Sequence, residues 1–412
     1  MFFSLSTDKK TNFSSSYYFS NNFVLSTDLG WKELAGPHGK IVYKGYINGD
    51  LPAFLRGLDP TVVDMPAGSF TAIMEKNDNI FIKHDNNRAY PIYSNNKKCE
   101  LTNLRSHDND TNKLWYDHLL QVDTTKKMIN VSLQERDITI DHNYVSLENT
   151  CDKIFNMLNT EIQQFSSYNK DPIKVVPTCG IDNTLVMGLL RYNKIPFEVI
   201  DYEYKKWSYF FKKNRRSLIN THGELFLTDG FTWGDQPVIV ANGYHADQYF
   251  LRDYIPLYLV CKQHNLDLDS IAEKYQASYT YKNHVNQRRN EKQQKVSEPY
   301  RSINDYQDRL SSIMEDCDRD TNLYEKVYEI LNGTYLLWHL EETMYWSPFK
   351  NSSITKHILS MPIEHIVDNA FNVTIQKRLL EKAWPEFSQV VTEEKNVFSK
   401  DTFVKALKIL RK

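Results

Sequence analysis

At 412 residues and 48.5 kDa, with 50 Lys+Arg against 52 Asp+Glu and a formal charge of −2, the chain is too long for one ordinary core, and any basic surface must be local. A hydrophobic content of 41% with 13% aromatic argues against wholesale disorder, and the absence of any run of 18 apolar residues argues against a membrane span. Five scattered cysteines without a C-x-x-C pair, and a first segment without the pattern of a secretion signal, fit a reducing compartment; a cytoplasmic protein is expected, and abundant Asn, Lys and Tyr suit an AT-rich, conceivably viral genome.

Residues 1 to about 100 hold short alternating segments: Phe23-Val24-Leu25, Lys40-Ile41-Val42-Tyr43, Phe70-Thr71-Ala72-Ile73-Met74 and Ile80-Phe81-Ile82-Lys83. Turn signals between them, Asn48-Gly49-Asp50 and Lys76-Asn77-Asp78-Asn79, suit hairpins, so this region reads as antiparallel sheet. From 100 to 145 the chain turns polar and asparagine-rich, with a strand pair expected at 128–133 and 138–140. The junction falls there, giving domains 1–125 and 140–412.

Leu147, Cys151, Ile154, Phe155, Leu158, Ile162 and Phe165 form one helical stripe. Residues 173–190 read as a buried strand, a loop of small and hydroxyl residues, and a helix that opens on an aspartate. Such a loop aims backbone N–H groups and a helix dipole at one spot, which stabilises an anion such as phosphate. Further strands are expected at 196–199 and 237–241. Strands separated by helices imply a parallel sheet whose ligand site lies at the carboxyl ends, where loops 177–183 and 242–248 fall.

Residues 281–299 carry a basic excess with few apolar anchors; a solvated loop or helix is the ordinary reading, and a substrate-ordered lid or polyanion contact the alternative. Segments 303–346 and 354–384 read as helical. The histidines show no metal-ligand spacing, and no G-x-S-x-G elbow is present.

Thr178-Cys179-Gly180-Ile181-Asp182-Asn183 resembles the pyrophosphate loop, S-G-G-x-D-S, of the asparagine-synthetase-like ATP pyrophosphatases, with Cys179 in place of a glycine and Asn183 of a serine. Val238 to Phe250 looks like the family's second signature, a strand followed by S-G-x-G-A-D-E-x-F: Gly243, Ala246, Asp247 and Phe250 match, while Asn242, His245 and Gln248 do not. The resemblance implies that Thr178, Cys179, Gly180, Asp182, Asn183 and Gly243 hold ATP, that Asp182 and Asp247 share Mg²⁺, and that Lys377, in a segment similar to K-x-x-L-R, balances charge on the phosphates. Taken singly, each aspartate also reads as a helix cap. Thr221-His222-Gly223-Glu224 is similar to the family's T-x-H-x-E. Ser347-Pro348-Phe349 is similar to its R-x-P-F, with Trp346 in the arginine place.

The amino-terminal half resembles a class II glutamine amidotransferase domain through Pro66-Ala67-Gly68-Ser69-Phe70 and the run from Ile82 to Tyr93. That chemistry needs an amino-terminal cysteine, whereas Met1 is followed by Phe2 and Phe3, and the oxyanion Asn-Gly aligns with Lys44-Gly45. The expected fold is therefore an αββα sandwich of amino-terminal-nucleophile type without glutaminase activity, then a Rossmann-like pyrophosphatase-loop domain with a helical end, as in the β-lactam synthetases.

The resemblance implies an AMP-forming amide ligase that uses ATP and magnesium, with a small carboxylate and an amine as substrates; a homodimer stays open. Two alternatives stand: an inactive relative acting as a binding or regulatory protein, and a pyrophosphatase-loop enzyme that modifies a nucleobase or nucleic acid, with 281–295 as the contact. Acid, amine and oligomeric state are not legible.

Overall fold

The computed structural model describes residues 3–10, 13, 15–27, 30–62, 65–85, 92–102, 111–114, 118–133, 143–175, 180–199, 216–219, 225–228, 238–243, 246–252, 254–275 and 343–391. The chain divides into two compact units, Met1–Asp137 with Tyr204–Val238 and Asn332–Tyr345, and Ile138–Glu203 with Ile239–Leu331 and Trp346–Lys412. The fold is mixed: antiparallel sheets, one sheet of parallel strands, and helices.

The first unit holds two six-stranded antiparallel sheets. In the second of them, Lys40–Ile47, Gly68–Lys76 and Asn79–His84 run side by side, as the alternation of Ile41, Tyr43, Ala72, Met74 and their neighbours requires. Phe3, Leu5 and Leu25 from one sheet, with Phe23 just ahead of its strand, share a core with Val42, Ile73, Ile82 and Leu120 from the other, so the sheets pack face to face. The opposite face of the second sheet is covered by Leu51–Gly57, a helix capped by Asp50, which accepts from Ala53 N–H at 2.9 Å. Met128–Leu133 is a strand and pairs antiparallel with His118–Asp123; 138–140, its expected partner, lies outside the described residues. Gly45 has φ +116°, and a Cβ there would meet the Ser69 carbonyl oxygen at 2.1 Å, so only glycine fits this crossing.

In the second unit Ile173–Val175 lies between Glu198–Val199 and Val238–Ala241, parallel to both, with Ile173 opposite Ile239. The Leu147–Tyr168 helix buries Cys151, Ile154, Phe155, Leu158, Ile162 and Phe165, and Ser146 caps it by accepting from Asn149 N–H at 3.1 Å. Ile181–Tyr192 follows the first of the three strands and packs against Thr374–Ala383 at Gly188, where an added Cβ would stand 3.3 Å from Leu380 Cδ1. Small size at that point is what lets the two helices approach.

The segment expected as helix over 354–384 is three helices, Ser352–Leu359, Ile363–Asn372 and Thr374–Ala383. Pro362 has no N–H to continue the first helix, and Val373, at φ 58°, turns the chain left-handed between the second and third. Thr343–Trp346 is a strand rather than a helix end, and the rest of 303–346 lies outside the described residues. Among the described residues no helix is long and apolar enough to cross a membrane.

Candidate functional site

The two loops singled out in the sequence meet at the carboxyl ends of neighbouring parallel strands. The Ile181–Tyr192 helix opens on Gly180, which has extended backbone (φ −82°, ψ 145°) and supplies no side-chain cap, so the first amides of the helix keep their polarity toward the loop. Asp182 stands in the first turn and does not cap the helix. Its carboxylate accepts from Arg252 Nη1 at 2.9 Å.

Asp247 belongs to the Ala246–Tyr249 helix, which begins just beyond the Val238–Ala241 strand. Its Oδ1 lies 3.0 Å from Arg252 Nη2. One guanidinium thus reaches both carboxylates. The Arg252 side chain is 6% exposed, Asp182 19% and Asp247 58%, so the Asp182 arm is sheltered and the Asp247 arm faces solvent, where an ion pair contributes less.

Backbone geometry explains why Arg252 points there. The short helix ends with Leu251 N–H bonded to the Gln248 carbonyl at 3.0 Å and Arg252 N–H bonded to the Asp247 carbonyl at 2.7 Å, around a left-handed Leu251 (φ 54°). These are the two bonds of a Schellman ending, normally built on glycine. They fold Arg252 back over the start of its own helix. The turn is fixed from outside as well: Thr355 Oγ1 donates to the Tyr249 carbonyl at 2.9 Å, and Asn369 Nδ2 to the Phe250 carbonyl at 2.9 Å.

Gly243 is the point of closest approach. A Cβ there would sit 2.6 Å from the Asp182 carbonyl carbon and 2.7 Å from the Asn183 nitrogen, both backbone atoms that cannot step aside. The Gly243 N–H donates to Asn183 Oδ1, so the amide that replaces a serine in the family pattern stitches the two loops together. Gln376, fully buried in the first turn of Thr374–Ala383, places its amide beside the Asp182 carboxylate. Lys377 is the next residue on that helix and is half-buried.

Burial pushes the Asp182 carboxyl up to about 6, and the neighbouring Asp247 charge adds to the rise, while Arg252 and the Gln376 amide pull it down. Desolvation wins because one shared guanidinium does not replace the water that Asp182 gives up.

The structure therefore brings Gly180, Asp182, Asn183, Gly243 and Asp247 together. Thr178 and Cys179, like Thr221 to Glu224 and the basic 281–299 segment, lie outside the described residues. Trp346, which takes the arginine place in the family pattern, is 1% exposed and stacks on Phe165 at 4.3 Å, a core role. Its carbonyl accepts from Asn242 N–H at 3.0 Å, which anchors the loop before Gly243.

A resident magnesium ion needs carboxylate oxygens open to it, and here both carboxylates are bonded to a buried guanidinium. No group of three or more His, Cys, Asp or Glu that could hold a metal occurs among the described residues. One oxygen of each carboxylate is thus taken by the guanidinium.

Arg252 and Gln376 were not singled out from sequence. The available signal for Arg252 was a lone cation after the apolar Tyr249-Phe250-Leu251, directly behind a signature that carries the second aspartate. No family model matches the chain, and a search of curated proteins returns no match.

Proposed function

We propose that the chain is an ATP-dependent, AMP-forming amide ligase of the asparagine-synthetase-like kind, with an inactive amidotransferase-like first unit and a pyrophosphatase-loop second unit. The observation that carries this reading is the convergence of Asp182 and Asp247, 65 residues apart in the chain, at the carboxyl ends of adjacent parallel strands. Ligands of open parallel sheets bind at that edge, and a helix amino terminus there favours the phosphates of a nucleotide.

In this reading ATP, taken up as its magnesium complex, is the substrate. A carboxylate oxygen of the acid attacks the α-phosphorus; the bond from that phosphorus to the bridging oxygen of the β-phosphate breaks, and pyrophosphate leaves. The amide N–H groups of the Ile181–Tyr192 helix start, held in place by the close contact of Gly243 with Asp182 and Asn183, would hold the departing group, and the Lys377 ammonium would offset its charge. The amine then attacks the acyl carbon, AMP departs with the electron pair, and the amine loses a proton.

In the first unit, the buried Lys44 precedes Gly45 where a glutaminase would offer a donor asparagine. Burial pushes the Cys99 thiol up, away from the reactive thiolate. Both support a unit that supplies no ammonia. The facing sheets and their covering helix agree with a sandwich of amino-terminal-nucleophile type, and the parallel strands with a Rossmann-like domain.

The Arg252 bridge favours a second reading, an inactive relative kept as a binding or regulatory protein, because both carboxylates already have a cation. Release of pyrophosphate from ATP in the presence of candidate acids separates the two. A ligase releases it and Asp182→Ala abolishes it; a wild-type protein that binds ATP without any release across a broad acid panel supports the binding protein.

A further inference from the structure

We infer that Arg252 is the resident cation of this site, standing where a divalent ion would otherwise join two carboxylates, so that arginine and divalent ion compete for one carboxylate pair. This goes beyond the ligase reading and does not depend on it.

Three observations carry it. First, the guanidinium spans two carboxylates: Nη1 donates to Asp182 Oδ1 at 2.9 Å and Nη2 lies 3.0 Å from Asp247 Oδ1, which is the bridging role of a metal ion. Second, the cation is part of the loop that carries one of its partners. The Arg252 N–H bonds the Asp247 carbonyl at 2.7 Å around the left-handed Leu251, and the side chain is 6% exposed. Bridge and backbone turn are therefore one unit. Third, removing the guanidinium would leave two facing carboxylates next to Gln376, which is 0% exposed and whose amide oxygen makes no hydrogen bond among the described residues. A flip of that amide, whose N–H side is turned to Asp182, would add one neutral oxygen to the two anionic ones, a donor set suited to a hard divalent cation.

Charge decides the competition. With Arg252 in place the three groups sum to about −1, and without it to about −2, so the arginine removes much of the attraction a divalent ion would feel in a sheltered site. The bridge would join the two loops without any metal.

The test uses the full chain and Mn²⁺ as the probe, with free and bound metal resolved by electron paramagnetic resonance. Wild type, Arg252→Ala and Arg252→Gln are compared, each with and without Asp182→Asn. The expected result is Mn²⁺ binding about tenfold or more tighter in the two Arg252 variants than in wild type, returned to the wild-type level by adding Asp182→Asn. Should Arg252→Ala unfold, thermal unfolding with and without Mn²⁺ reads the same question, since a metal that replaces the arginine restores the folded state. Wild-type binding equal to that of both variants, or no gain in either variant, overturns the inference. ATP plays no part here, so that failure leaves the ligase reading to its own test.

Discussion

Arg252 donates to Asp182 at 2.9 Å across 70 residues of chain, and this bond joins the helix after one parallel strand to the turn after the next. Everything proposed about the site depends on how tightly those two loops are held, which makes their joint a good place to perturb.

Gly243→Ala is the sharpest such change. Its Cβ would meet the backbone of Asp182 and Asn183 at 2.6 and 2.7 Å, so one loop must move. Overpacking of this kind costs about 1–3 kcal/mol, and thermal unfolding should show the loss together with weakened ATP binding. Gly57→Ala, in the Leu51–Gly57 helix with nothing within 4 Å of the new methyl, is the matched control and should be neutral or stabilising by up to about 1 kcal/mol. Equal effects of the two would show that the Gly243 contact does not constrain the loops.

Asp182 gives the stability a pH dependence of defined sign. Burial raises its carboxyl from 3.8 to about 6, above the unfolded value, so its favourable contribution is complete below about pH 4 and is lost as pH rises through about 6. The loss amounts to about 3 kcal/mol at most. Unfolding of Asp182→Asn should therefore show a flatter pH profile between 4 and 7, even though its absolute stability is lower because the buried Arg252 loses a charged partner. Superimposable profiles would mean that Asp182 titrates as in the unfolded chain.

Asn369 holds two elements in register. It donates to the Phe250 carbonyl at 2.9 Å and accepts from Ile375 N–H at 2.9 Å, while fully buried. Asn369→Leu leaves a buried carbonyl and a buried N–H unpaired, a cost of about 1–3 kcal/mol for each group. Because the same residue fixes the turn before Arg252 and the start of the helix bearing Gln376 and Lys377, ligase activity should fall more than stability alone explains. Full activity at a temperature where the variant is folded would separate Asn369 from the site.

By contrast, the cluster of Glu148 with Lys382 and Arg378 should contribute little. These side chains are 28–51% exposed, and although Lys382 holds the Glu148 carboxyl below its usual range, solvent and salt screen the pair. Glu148→Gln should change unfolding by less than about 1 kcal/mol, and the difference should shrink further at 1 M salt.

How far the sequence foretold this site differs from element to element. Hairpins in the first hundred residues and the helix after Ser146 were legible because alternation and a 3.6-residue stripe are local patterns. The strand ending at Val175 and the helix from Ile181 were legible as well, since a loop of small residues separates two apolar runs. Arg252 was not, because its position depends on a Schellman turn whose usual marker, glycine, is here Leu251, held left-handed by burial and by Thr355 and Asn369 from distant chain. For the same reason the break between the last two helices of 354–384 was not legible: Val373 turns left-handed without a glycine to announce it. The pairing of Met128–Leu133 with His118–Asp123 was not legible, because the chain between 103 and 117 gives no alternation that ties Leu120 and Val122 to the neighbouring strand.

The central claim is that the loop before Ile181 and the turn after Ala241 form one nucleotide phosphate site. The most direct measurement is an experimental structure of the full chain with a non-hydrolysable ATP analogue and magnesium. The account predicts the triphosphate at the amino terminus of the Ile181–Tyr192 helix, with Asp182 and Asp247 on the same side of it. A triphosphate bound elsewhere, or the two aspartates on opposite flanks of the sheet, would contradict it.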